Sequence, residues 1–170
     1  MTETLVEFFL NLFSGITNNE LGKSITIFIL SLLPIIELRG GLIAAALLKV
    51  SFIKAFIICF IGNILPVPFI LWFIRKILDW MRNKKMFKKI VKWIDKKVES
   101  KKHKIEKYGV LGITLFVGIP LPGTGAWTGS LIAAMLDMDK KKAFLATFIG
   151  VLLAGIIMSI FSYGILDKIF

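Results

Sequence analysis

Apolar residues gather into four long blocks, 24–48, 52–74, 109–136 and 143–166, each near or above the roughly 20 residues a membrane-crossing helix needs. Polar residues gather as sharply, in 75–107 and 137–142. Within 75–107, Ile77, Trp80, Met81, Phe87, Ile90, Val91, Ile94 and Val98 recur at three-to-four spacing among lysines, which predicts an amphipathic helix on a membrane surface. Residues 3–16 form a shorter apolar stretch broken by Glu7, Asn11 and Ser14, too short to span, and predict an interfacial helix. The pattern predicts an all-α integral membrane protein with one membrane domain over 1–170. Its parts are an interfacial segment 1–20, a first unit 24–74, a basic linker 75–107 and a second unit 109–166.

Two of the four blocks cannot be straight helices. The first carries Pro34, Glu37, Arg39, Gly40 and Gly41 at its centre. Proline removes a backbone donor, the glycine pair relaxes the chain, and each charge costs roughly 2.5–3.5 kcal/mol at membrane depth. The block would be about 37 Å long as one helix, but two limbs of ten to twelve residues reach only about half way across. A re-entrant helical hairpin is the expected form. The third block repeats the theme with Pro120, Pro122, Gly123, Thr124, Gly125, Trp127 and Thr128. Block 52–74 is a full crossing with a kink expected at Pro66 and Pro68, and with Trp72 and Trp80 as interfacial anchors. Gly150, Gly155 and Ser159 suit close packing in the last crossing.

Sliding the chain against itself by 88 positions aligns 25–65 with 113–153 without a gap, and sixteen of the 41 pairs are identical. Lys54-Ala55-Phe56 pairs with Lys142-Ala143-Phe144, and Phe60-Ile61-Gly62 with Phe148-Ile149-Gly150. Each unit is therefore read as a hairpin, a short loop and a crossing helix. A hairpin returns to its side of entry and one helix crosses, so two units in series form an inverted repeat. The lysines agree: 75–107 and Lys140-Lys141-Lys142 fall on one side, the cytoplasmic side by the positive-inside rule. Both termini then face outward. Inverted repeats place a substrate site where interrupted helices meet near the midplane.

Composition and charge narrow the function. Mean hydropathy is +0.81 and net charge +11, with fourteen Lys or Arg against four acids between Arg75 and Lys107. That run lies between membrane blocks without a nucleic-acid motif, so it is read as topogenic charge facing anionic lipid headgroups, with no nucleic-acid partner. Cys59 sits alone in an apolar block and His103 in a lysine run, so no disulfide framework, metal site or cofactor is expected. Met1–Glu7 lacks the basic start and cleavage site of a signal peptide. No nucleophile–base set or phosphate loop is present, and an enzyme is not expected.

Glu37 and Arg39 carry the strongest functional signal, because intramembrane charge marks transport paths and proton relays; the bland alternative is a structural ion pair. They sit two apart, so a bend is needed to bring them together. Burial works against the charge on Glu37 and a nearby guanidinium works for it, the balance a proton-coupled carrier needs. The second tip offers backbone amides as an anion-binding concavity, with Thr124 and Thr128 as hydroxyl ligands, or else serves hairpin geometry alone. Trp127 is read either as packing or as a substrate stack. Asn63 is read as a helix–helix hydrogen bond or a path-lining residue.

Together Pro34-Ile-Ile-Glu-Leu-Arg-Gly-Gly41 and Pro120-Leu-Pro-Gly-Thr-Gly-Ala-Trp-Thr-Gly129 resemble the two signatures of the prokaryotic small multidrug export protein family, over about residues 20–166. That family is more distantly similar to the DedA and VTT-domain membrane proteins. The resemblance implies two opposed re-entrant hairpins in a multi-pass protein of the cytoplasmic membrane that moves lipids such as undecaprenyl phosphate. It also implies that Glu37 couples proton movement to transport. Ile119 and Gly125 stand where the DedA pattern has arginines, so Arg39 would be the only intramembrane cation. The expected function is a proton-coupled translocase of a small amphiphile with an anionic head, and the expected partners are membrane lipids, that substrate and protons. The alternatives are a lipophilic-cation exporter, a passive scramblase-like groove and a non-transporting scaffold that stabilises a homo-oligomer.

Overall fold

The computed structural model describes residues 2–121 and 123–164, and all regular structure among them is helical. The helices are α1 (Thr2–Leu12), α2 (Glu20–Leu32), α3 (Glu37–Leu47), α4 (Phe52–Ile64), α5 (Pro66–Arg82), α6 (Lys88–Gly118), α7 (Ala126–Met135) and α8 (Lys140–Gly164). A 3₁₀ turn, Lys85–Phe87, precedes α6.

The first apolar block breaks where its sequence demands. Asn19 caps α2 by accepting the Gly22 N–H at 2.7 Å, and α2 ends at Leu32. Leu33 is extended (φ −73°, ψ 137°), as a residue before proline must be, and Pro34 follows. The third block stops the same way: α6 ends at Gly118, Ile119 is extended (φ −83°, ψ 119°), and Pro120 follows. With 13, 11 and 10 residues, α2, α3 and α7 are about 15–20 Å long, short of the roughly 30 Å hydrocarbon core.

Beyond the two turns, the 88-residue spacing holds bond for bond. Leu48, Lys49 and Val50 donate N–H groups to Ala44, Ala46 and Ala45; Leu136, Asp137 and Met138 donate to Ile132, Ala134 and Ala133. Lys49 and Asp137 both take the left-handed conformation that closes a helix, each with φ 54°. The first limbs keep a different spacing. A side chain on Gly62 would meet the Phe28 carbonyl, and one on Gly150 the Thr114 carbonyl, both at 2.9 Å. Gly41 likewise faces Ser31, where Gly129 faces Val117. Those contacts pair residues 86 apart, so the second turn is two residues longer than the first and Pro34 corresponds to Pro120. The gapless alignment instead paired Pro34 with Pro122, which lies outside the described residues.

Among the described residues, two helical stretches are long and apolar enough to cross a membrane: Phe52–Arg82, of 31 residues, and Lys140–Gly164, of 25. The first is interrupted between Ile64 and Pro66, where the proline has no N–H to give. The second has Ala154 in the position of Pro66 and runs unbroken. They run in opposite directions. Near the start of α4, Tyr163 of α8 donates its hydroxyl to the Val50 carbonyl at 2.9 Å and its ring meets Phe52. Beyond the other end of the apolar run, Arg75 pairs with Asp137, just before α8. Glu20, at the start of α2, pairs with Lys54 at 3.1 Å, so the chain enters and leaves the α2–α3 pair at the same end of the molecule.

Exposed side chains recur every four residues on α4 and into α5 (Ile53, Ile57, Ile61, Leu65, Phe69) and every three or four on α8 (Leu145, Ile149, Leu153, Ile156, Ile160). Stripes of that length are covered by lipid in a membrane protein and would be an aggregation hazard in water. The basic segment is no separate helix: residues 75–82 complete α5, and α6 runs from Lys88 through the basic stretch into the apolar limb. It bends sharply at Gly109 (φ 53°, ψ −122°). A side chain on Gly112 would lie 2.9 Å from the Ile105 carbonyl, whereas residues seven apart on a straight helix are about 10 Å apart. Val91, Val98 and Ile105 form the buried stripe of the arm, one heptad apart. Helix α1 packs on α3, and its Val6 is fully buried against the backbone at Gly40.

Candidate substrate site

The two turns meet. Glu37 is the first residue of α3 and is buried, 6% exposed, with its backbone in the left-handed region (φ 53°). For a residue with a side chain that conformation costs about 1–2 kcal/mol. What holds it lies on the other unit. The carboxylate accepts the Ala126 N–H at 3.2 Å and the Trp127 N–H at 3.3 Å, the first amides of α7. A helix N-terminus carries unsatisfied donors and a partial positive charge, so the carboxylate is placed where the backbone favours an anion. Gly125, just before α7, leaves the space: any Cβ there would collide with the Glu37 carboxylate, and its own φ of 149° suits glycine. In the repeat, Gly125 is the counterpart of Glu37.

Arg39 crosses the same gap in the other chemistry. Its guanidinium donates to the Leu121 carbonyl at 2.5 Å, the Ile119 carbonyl at 3.4 Å and the Thr124 hydroxyl at 2.9 Å. These carbonyls lie just past the end of α6, where a helix leaves acceptors unsatisfied. Trp127, the repeat counterpart of Arg39, returns the gesture: its indole N–H donates to the Leu32 carbonyl at the end of α2, at 3.1 Å. Thus each second limb reaches the open carbonyl end of the other unit's first limb. Thr124 also lies within hydrogen-bond reach of the Ile119 and Leu121 carbonyls and so rigidifies the longer turn. Glu37 and Arg39 remain close enough for their charges to attract.

Of the residues singled out by sequence, Glu37, Arg39, Thr124, Gly125 and Trp127 come together in this clasp. Gly40 and Gly41 serve packing, against Ile36 and Val6 and against Ser31 and Cys59. Pro34 and Pro120 set the turns, and Thr128 is half-buried on α7. Gly123 is exposed at the second tip with φ 77°. Asn63 is buried and its amide oxygen has no hydrogen-bond partner among the described residues. The expected open nest of amides at the second tip is different: Glu37 occupies the Ala126 and Trp127 donors. Sequence reasoning missed the carbonyls of Leu32, Ile119 and Leu121, because a backbone acceptor leaves no signature in residue type. The Pro34 and Pro120 helix stops were the available signal.

Beside the clasp lies an apolar groove of about 430 Å³, walled by Leu33, Pro34, Leu65, Pro66, Phe69 and Trp127. It forms where the first turn and the α4–α5 break come together.

Residues 37–157 match the family described as "Putative small multi-drug export protein", and the chain belongs to that family. It is a membrane protein of an exporter family, in keeping with the two long apolar helical stretches and the exposed apolar stripes among the described residues. No curated protein and no solved structure matches the chain.

Proposed function

We propose that this protein is a proton-coupled carrier of DedA-like architecture in the cytoplasmic membrane. Two re-entrant hairpins, inverted relative to one another, hold an amphiphile's head group at the clasp between them. One observation carries the reading: Glu37 spans the two hairpins and sits on the amides of α7. Protonating the carboxylate removes the charge that holds it there and frees two helix-N-terminal donors close to the Arg39 guanidinium. An anionic head group, most simply a lipid phosphate, then meets donors arranged for it. Anion and Glu37 carboxylate compete for the same amides, so proton binding and anion binding favour each other, as linkage requires. The carrier moves anion and proton together.

The antiparallel course of the two spans and the Arg75–Asp137 pair support the inverted topology, with 75–107 and 137–142 cytoplasmic. Single cysteines at Asn18, Asn83 and Asp139 in a Cys59→Ser background test it with an impermeant thiol reagent. Labelling of Asn18 and Asn83 from one face contradicts it.

The family description, small multi-drug export, favours a second reading, and the Glu37 carboxylate would make its cargo a lipophilic cation. A cation competes with the proton for Glu37, so it exchanges against protons and does not travel with them. Flux in proteoliposomes with an imposed pH gradient separates the two. Uptake of an alkyl phosphate with the proton, lost in Glu37→Gln, supports the first reading; exchange of a lipophilic cation against it supports the second. Flux of neither, in parent or variant, removes transport altogether.

A further inference from the structure

The clasp handles a head group, and the groove beside it is suited to something else. Its walls offer only apolar surface, and its volume of about 430 Å³ falls in the range that encloses a small ligand. Two of its walls, Leu65 and Phe69, are exposed and belong to the lipid-facing stripe that begins at Ile53. The groove is therefore continuous with the surface that hydrocarbon already covers, and it opens sideways to lipid. It exists because two proline-marked interruptions coincide, the Pro34 turn and the Pro66 break. The second unit has Ala154 in place of Pro66 and keeps α8 unbroken, and the hollow at its own turn, of about 280 Å³, is walled by α6 and turn residues such as Tyr108, Phe116, Ile119 and Thr124 instead.

We propose that this groove binds one hydrocarbon chain of the transported amphiphile, entering laterally from the bilayer. The proposal rests on the carrier reading for the word "transported"; the chain site itself does not. Trp127 makes the connection. Its ring walls the groove, its indole N–H holds the Leu32 carbonyl, and its backbone N–H holds Glu37. A chain seated against the ring acts on the residue that joins both halves of the clasp, so occupancy by the tail is felt where the head binds. The site takes single-chain amphiphiles of either head charge, and selection by head belongs to Glu37 and Arg39.

The test uses the full chain in proteoliposomes with Trp72, Trp80 and Trp93 replaced by Phe, leaving Trp127 as the only indole. The probes are ω-brominated dodecyl phosphate and ω-brominated dodecyltrimethylammonium, whose bromine quenches a nearby tryptophan. Both should quench Trp127 saturably, and unbrominated dodecyl phosphate should relieve it by competition. Leu65→Phe, which fills the groove, should weaken saturation by about tenfold, the effect of excluding roughly two methylenes. Leu33→Phe fills it from the turn and should act alike. Quenching that rises linearly with probe content, resists competitor and ignores the filling variants would overturn the chain site, and competition in the parent decides this even if a variant fails to fold. Glu37→Gln should lose flux and keep saturable quenching, and the parent separates the two proposals. In the parent, saturable quenching without any flux removes the carrier and keeps the groove, while flux without saturable quenching does the reverse.

Discussion

The two units of this chain share a backbone plan and divide the chemistry between them. Both end the first limb at a residue before proline and close the second limb with three equivalent amide bonds and a left-handed residue. At the tips they diverge. The first unit supplies Glu37 and Arg39; the second supplies Gly125 and Trp127 at the matching positions, with a turn two residues longer by the packing of the first limbs. The first crossing is broken at Pro66 and the second is continuous. Two units of similar backbone thus give two surfaces that fit because they differ: a side chain on one unit needs its absence on the other. Glu37 against Gly125 is the clearest case.

Changes that erase this difference should act most strongly where the two counterparts touch. Gly125→Ala places a methyl group in the carboxylate's position and forces φ into a region alanine avoids. It should abolish transport as completely as Glu37→Gln, and the double variant should be no worse than either single one, because both remove the same contact. Additive losses in the flux assay would mean that Gly125 acts independently of Glu37.

Arg39→Lys comes next. Lysine keeps the charge but gathers its donors on one nitrogen, without the planar fork that reaches Leu121 from one nitrogen and Ile119 and Thr124 from the other, and bonds to charged groups are worth about 1.5–3 kcal/mol each. Transport should fall by about tenfold or more, with a lower melting temperature in detergent; an unchanged melting temperature would show that the cross-turn bonds do not hold the tips. Trp127→Phe removes only the bond to Leu32 and should cost about 1 kcal/mol in the same measurement. Pro66→Ala makes the first crossing resemble the second. It should leave the clasp in place while weakening chain binding, so head and tail effects come apart.

The smallest effect lies at the surface. Hydrogen bonds from Lys54 and Lys23 hold the Glu20 carboxyl below its ordinary value of 4.5. Its contribution is therefore present above that value and is lost as the pH falls through the lowered one. Glu20→Gln should remove a small part of the acid sensitivity of melting and leave transport unchanged.

What the sequence makes legible follows from cost. Charges, prolines and paired glycines in apolar blocks are expensive, so Glu37, Arg39 and both turns stand out before any coordinates. Lys54-Ala55-Phe56 and Lys142-Ala143-Phe144 mark the 88-residue spacing. The partners of those charges are hidden, since Leu32, Ile119 and Leu121 contribute only carbonyls, and Ala126 and Trp127 meet Glu37 through their amides. The longer second turn is hidden for another reason: Leu33 and Pro34 match Leu121 and Pro122 by residue type, and a gapless slide accepts them. The bend at Gly109 marks where the basic arm meets the apolar limb, yet one glycine inside a helical pattern announces no change of direction.

The clasp itself is open to direct observation. Hydrogen exchange at the Ala126 and Trp127 amides, measured across pH in the parent and in Glu37→Gln, reads whether the carboxylate occupies them. In the parent, both amides should be protected at neutral pH and lose protection as the pH falls, while in Glu37→Gln protection should be weaker and independent of pH. Protection that is equal in the two proteins, or that does not respond to pH in the parent, would contradict a proton-controlled clasp between the two units.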